Sequence, residues 1–279
     1  EWLPPVLSRL RMVASHLAAG LERTVLLRES DARRRLSHEM TFASTHHTGL
    51  AVGPLPADCG LDLAVRTAGP SALGGDLCEI WPLGRRRTLL AIGDATGHSL
   101  PAAMIMAVAR GSLRTVLGSD GDDATTVDRI AKRLNSALHS VIRGEQFMTM
   151  ICGIFDRHSR TFSYTNAGHP RPWLIRDGYA SELVGSGMLL GVFPDFEYER
   201  HEVSLRVGDW LVFYTDGVSE AMSRSRELFR ADGVVRGLGD GRWESAASAA
   251  DAVWTAMQRH CTGMPTADDQ TLVVMRVTR

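Results

Sequence analysis

The sequence predicts an α+β layered sandwich, and three observations carry that fold class. Past residue 60, apolar segments of strand length outnumber helical patterns; they follow one another through turns; and the helical patterns come in pairs. A doubly wound parallel sheet places a helix after nearly every strand, which this order does not do.

Taken in order, residues 5 to 36 come first. Leu7, Leu10, Val13, Leu17, Leu21 and Val25 recur there at three- and four-residue spacing, with Arg9, Arg11, Glu22 and Arg23 between them, as in an amphipathic helix. The charged run at 28 to 40 continues that helix or breaks it briefly. "GLAVGPLPADCG" at 49 to 60, with Pro54 and Pro56, reads as a linker. The expected division is therefore an N-terminal helical, regulatory segment at 1–49 and a second domain at 50–279. Strands are expected at 61–66, 87–93, 147–155, 161–167, 171–176, 209–215 and 271–277. One helix is opened by Ser99 and Pro101, a second carries Val127, Ile130, Leu134, Leu138 and Val141 on one face, and a late pair covers about 226–238 and 244–260. No internal repeat or low-complexity tract is present.

Composition narrows the function classes. The 279 residues are 44% hydrophobic, enough for a sizeable core, and 31 Lys and Arg balance 32 Asp and Glu. No summed field draws such a chain to nucleic acid or to an anionic membrane, so function must sit in a local site. Cys59, Cys78, Cys152 and Cys261 form no C-x-x-C pair, which argues against a zinc knot or a disulfide framework and fits reduced, buried thiols. No continuous apolar run has membrane-spanning length, and no basic, apolar, small-residue leader opens the chain, so the cytoplasm is the expected location. Beginning on Glu1, the sequence reads as an excerpt of a longer protein.

Acidic residues stand at strand ends in four places: Asp76 in "GGDLCEI", Asp94 in "IGDATGH", Asp216 in "YTDGVSE", and Asp268 and Asp269 in "ADDQTLVV". Carboxylates placed there are costly unless paired or bound to a cation. Clustered hard oxygen donors suit Mg²⁺ or Mn²⁺ far better than zinc. Small neighbours leave room for backbone carbonyls and waters to approach an ion. Each piece also has a plain reading: "TDG" is a common turn, Asp268 and Asp269 can blunt a strand edge, and "GGD" alone carries little.

Taken together and in order, "GGDLCEI", "IGDATGHSLPAAM", "TNAGHPRPWLI", "GMLLGV", "VGDWLVFYTDGVSEA" and "DDQTLVVMRV" resemble the metal-dependent protein serine/threonine phosphatases of the type 2C (PPM) superfamily, and more narrowly their bacterial SpoIIE-like branch. The resemblance runs from about residue 50 to the C-terminus. It implies two antiparallel sheets packed face to face between helices, a four-layer sandwich. It also implies two Mn²⁺ or Mg²⁺ ions, with Asp94 bridging them and the carbonyl of Ala95 ligating one. Asp76 binds at one metal, directly or through water, and Asp216 and Asp269 complete the other. Asp94 and Asp76 are thus the catalytic candidates, acting through a metal-activated water with no phosphoenzyme.

Two positions depart from the pattern. Glu79 stands where the family often has aspartate and keeps the charge on a longer arm, which fits a role through water or behind a metal ligand rather than direct ligation. Ser99 replaces a usual glycine and suits a helix N-cap. His98 follows the bridging aspartate and either touches a metal-bound water or hydrogen-bonds within its turn. His169 reads as a structural turn residue. Arg66, Arg85 and Arg171 are equal candidates for the substrate phosphate, each also at home on a solvated surface.

The resemblance further implies a phosphorylated protein substrate, such as an anti-anti-sigma factor, and the apolar stripe of the N-terminal helix serves either a homodimer or packing on the chain's own core. A catalytically silent module that binds a partner through the same fold is the alternative, although a silent domain has no need of clustered carboxylates. A nucleotide hydrolase lacks its G-x-x-x-x-G-K phosphate loop here.

Overall fold

The computed structural model describes residues 55–56, 58–70, 74–97, 100–119, 125–142, 144–239 and 243–279, all within the compact unit Thr48–Arg279. The amphipathic segment at 5–36 and its dimer role, the boundary near residue 50, His98 and Ser99 lie outside the described residues.

Two five-stranded antiparallel sheets form the centre. The first contains β2 (Asp76–Leu83), β3 (Arg87–Ala95), β4 (Met148–Asp156), β5 (Thr161–Ala167) and β8 (His201–Ser204), in that order. The second runs β1 (Leu61–Ala68), β10 (Gln270–Val277), β9 (Trp210–Tyr214), β6 (Trp173–Arg176) and β7 (Tyr179–Glu182). Helices α1 (Leu100–Ser119) and α2 (Val127–Val141) cover the first sheet; α4 (Arg230–Leu238) and α5 (Ala246–His260) cover the second. A single helical turn, α3 (Asp216–Ser219), follows β9.

Strand parity explains why the central strands read as continuous apolar runs. In β3, Leu90 and Ile92 face the other sheet while Leu89 and Ala91 face the helices. In β10, Val273, Met275 and Val277 point between the sheets, and Leu272 and Val274 point to α5. A strand covered on both faces has no polar side to alternate with. Between the sheets, Phe162 lies against Tyr164 and Phe213 with ring centroids 5.7 and 5.8 Å apart. The two outer faces are closed by helix stripes, Ile130, Leu134 and Leu138 on α2 and Val253 and Met257 on α5.

The expected strands are present to within two residues at either end, and the helices start close to where their signals fall. Val141 differs, being half-exposed at the end of α2 rather than part of its buried stripe. The described end of the expected linker belongs to the domain itself, since Leu55 packs on the inter-sheet core and Cys59 is buried. β2, β7 and β8 are not among the expected strands. β7 and β8 are short edge strands with exposed residues, and β2 carries Glu79 and Pro82. Cys78 and Cys152 are buried in the core, where burial pushes each thiol up to about 12.

By length and composition, α1 is apolar enough to cross a membrane. Here Ala102, Ala109 and Leu113 are fully buried on the first sheet. Arg110 and Arg114 reach back to Glu79 of β2 at 2.6 and 3.3 Å. That is the pattern of a core helix.

Candidate active site

Antiparallel register sets Asp76, the first residue of β2, directly opposite Asp94 near the end of β3. Residues opposite each other share a face, and Cys78 and Ile80 show that this face looks toward the second sheet. Thr215 and Thr271, at the matching end of the second sheet, both donate hydroxyl hydrogen bonds to Asp76 Oδ2, at 3.0 and 2.6 Å. Asp216 follows Thr215 as the first residue of α3, and Asp269 directly precedes β10. Asp269 Oδ2 accepts the Gly75 N–H at 2.8 Å, which ties it to the residue before Asp76. Four chain segments thus deliver Asp76, Asp94, Asp216 and Asp269 to one edge of the sandwich.

These carboxylates also disfavour one another's charge. Burial pushes Asp94 up to about 8, with the charges of Asp76, Asp216, Asp268 and Asp269 adding to the rise. Asp76 is pushed up to about 7 by burial, against the pull of the two threonine hydroxyls, with Asp269 and Asp216 contributing. Burial and Asp268 raise Asp216 and Asp269 as well, partly offset by backbone N–H groups at Gly217 and Gly75. Like charges held together out of water disfavour ionisation unless a cation joins them.

Three features fit the site to such a cation. Asp76 Oδ1 and Asp216 Oδ1 are buried without any hydrogen-bond partner in the protein. The glycines before Asp76 keep space open: a Cβ on Gly75 stands 2.9 Å from the Ala95 carbonyl oxygen and 3.2 Å from Asp94 Oδ1, and one on Gly74 stands 2.7 Å from Asp269 Oδ2. All donors are oxygens, the set that Mg²⁺ and Mn²⁺ prefer. Among the described residues no three His, Cys, Asp or Glu side chains stand close enough to hold an ion by themselves. This spacing suits an ion that keeps several waters and takes only one or two carboxylates, as Mg²⁺ does.

Other candidates lie elsewhere. Glu79 is on the opposite face of β2 from Asp76, 2% exposed and paired with Arg110 and Arg114, so the expected role beside the metals is replaced by a buried ion pair under α1. Arg66 is held by Asp251 at 2.7 Å and Arg171 by Glu182 at 3.6 Å. Arg85 sits in the turn joining β2 to β3, at the far end of those strands. His169 is buried, its Nδ1 2.9 Å from Thr149 Oγ1, and its backbone exchanges hydrogen bonds with the Asn166 side chain. Burial lowers its pKa to about 3, so the ring is neutral and structural. Sequence reasoning missed Thr215 and Thr271 and gave Gly74 and Gly75 little weight. Their signal was position, each standing one or two residues from an acidic ligand candidate.

A groove of about 620 Å³ opens beside the cluster. Gly217, Glu220 and Asp268 line the end nearest the carboxylates, and Met222, Leu228 and Met264 form a partly exposed apolar wall.

Comparison with known proteins bears on the fold and the family. The phosphoserine phosphatase RsbU of Bacillus subtilis (strain 168) is 23% identical over 202 residues, covering 72% of this chain and 59% of RsbU. The chain therefore spans little more than half the length of that relative. Among solved structures, the SiaA-PP2C domain of Pseudomonas aeruginosa superposes with a TM-score of 0.75 at 20% identity, covering 88% of this chain and 98% of that one. The catalytic domain of the serine/threonine protein phosphatase PstP in complex with 2 manganese ions gives a TM-score of 0.57 at 19% identity, covering 78% and 99%. The family model described as Stage II sporulation protein E (SpoIIE) matches residues 84–278. With β3 to β10, Asp94, Asp216, Asp269 and most of the chain inside that match, the chain belongs to the SpoIIE family.

Proposed function

We propose that this chain is a Mn²⁺- or Mg²⁺-dependent phosphatase that removes phosphate from phosphoserine or phosphothreonine on a small regulatory protein. The observation that carries the reading is the convergence of Asp76, Asp94, Asp216 and Asp269 with two partnerless buried carboxylate oxygens, Asp76 Oδ1 and Asp216 Oδ1. In this reading Asp94, facing Asp76 across the β2–β3 ladder, would hold the ions together with Asp76, the Ala95 carbonyl, Asp216 and Asp269.

When bound, a pair of divalent ions acidifies a water and offsets charge on the phosphoryl oxygens during in-line attack. The chain supplies the rest. Gly74 and Gly75 keep backbone and side-chain bulk out of the site, the Gly75 N–H aims Asp269, and the rigid β2–β3 ladder sets the spacing of Asp76 and Asp94. The neighbouring groove supports a protein substrate over a small phosphate, because its Met222, Leu228 and Met264 wall offers apolar contact to residues flanking a phosphoserine. RsbU, a phosphoserine phosphatase by name, supports the same substrate class. The structure with 2 manganese ions supports the metal. By family resemblance the substrate is an anti-anti-sigma factor.

The test is turnover of an aryl phosphate and of a phosphoserine peptide with Mn²⁺ or with a chelator, beside Asp94→Asn. Metal-dependent release that the substitution abolishes is the expected result. Equal release with and without metal sinks the mechanism, and partner binding with no turnover under any condition favours the silent module.

A further inference from the structure

Besides the Asp269–Gly75 hydrogen bond, the two sheets are linked at the acidic edge by Thr215 and Thr271. Both are buried, at 0% and 2% exposure. Both hydroxyls come from the second sheet and meet the same oxygen of Asp76 in the first, at 3.0 and 2.6 Å. A hydroxyl has one hydrogen to donate. That of Thr215 accepts the backbone N–H of Thr271 at 2.9 Å, which turns its own hydrogen toward Asp76. The Thr215 N–H in turn donates to the Thr271 carbonyl at 3.0 Å, so the two residues brace each other. Asp76 Oδ2 therefore has two donors, while Oδ1 is buried with none.

A carboxylate held by two donors on one oxygen cannot rotate freely about its terminal bond, and its other oxygen keeps one direction. We infer that Thr215 and Thr271 are positioning residues that lock Asp76 with Oδ1 turned into the acidic cluster, and that they thereby set the affinity of the site for its divalent cation. The inference rests on the reading of the cluster as a metal site. Partners in this position orient the ligand and tune the ion, and their loss typically weakens metal binding about 10- to 100-fold.

Isothermal titration of Mn²⁺ into the metal-free protein tests this without reference to turnover, using Thr215→Val, Thr271→Val, Thr215→Ser and Thr271→Ser, with the melting temperature of each measured in chelator. The valine variants are expected to bind Mn²⁺ at least about tenfold more weakly, and the serine variants to stay within about threefold of wild type. At saturating Mn²⁺ the valine variants should recover most of the wild-type kcat on a phosphoserine peptide. Valine variants that bind Mn²⁺ as wild type does, losing only melting temperature, overturn the inference and leave the threonines as a tie between sheets. Serine variants that bind as weakly as the valines also overturn it, and these remain informative if a valine variant does not fold. A wild-type protein that binds no Mn²⁺ refutes the metal reading itself, and the positioning role with it.

Discussion

Neutralising Asp94 separates the cost of the acidic cluster from its use. Asp94 titrates near 8 instead of 3.8 because burial and the carboxylates of Asp76, Asp216, Asp268 and Asp269 disfavour its charge. A carboxylate whose folded pKa is raised contributes stability that is complete below pH 3.8 and is lost as the pH climbs through about 8. At about 1.4 kcal/mol per pH unit between those limits, ionising Asp94 at pH 8 takes up to about 6 kcal/mol from the fold. Solvent at the half-open sheet edge reduces that to about 1–3 kcal/mol. Asp94→Asn should therefore raise the melting temperature of the chelated protein at pH 8 by about 3–10 °C. The gain should shrink steadily as the pH is lowered toward 4. With Mn²⁺ present the order should reverse, because wild type gains stability from the ion and the variant does not. Thermal denaturation from pH 4.5 to 8.5, in chelator and in Mn²⁺, reads both effects. A variant less stable than wild type in chelator at pH 8, or a gain independent of pH, refutes the reasoning.

Two further substitutions probe the surroundings of the cluster. Gly75→Ala places a methyl group 2.9 Å from the Ala95 carbonyl and 3.2 Å from Asp94 Oδ1, so Mn²⁺ titration should show affinity at least about tenfold weaker in a folded protein; unchanged affinity contradicts the need for that space. Glu79→Ala removes the buried carboxylate that pairs with Arg110 and Arg114 of α1, which should lower stability by about 3–5 kcal/mol in denaturant titration, whereas a loss below about 1 kcal/mol contradicts a stabilising role for that carboxylate.

The sheet edge was legible in the sequence because its ligand candidates follow or precede apolar runs that can only be buried strands. Asp94 after "LLAIG" and Asp216 after "WLVFY" are such cases. Spacing did not show that the four acids meet, since β2 joins β3 by a short turn while Asp216 and Asp269 arrive on a separate sheet. Glu79 was misplaced because its charge outweighed its parity. Three residues after Asp76 on a strand, it had to face the other way, toward α1. Thr215 and Thr271 are ordinary strand residues by composition, and only the approach of the two sheets turns their hydroxyls onto one carboxylate. Gly74 and Gly75 carried little on their own in the sequence. Their role depends on how near Asp269, Asp94 and the Ala95 carbonyl come, which is a matter of tertiary packing.

In the proposed reading the raised carboxylates hold a divalent cation. Calorimetric titration of Mn²⁺ at pH 7, repeated in buffers of different ionisation enthalpy, tests it most directly by counting the protons released. With Asp94 near 8 and Asp76 near 7, binding should release about one to two protons and should weaken as the pH falls below 7. Binding without proton release, or no binding at all, contradicts the account.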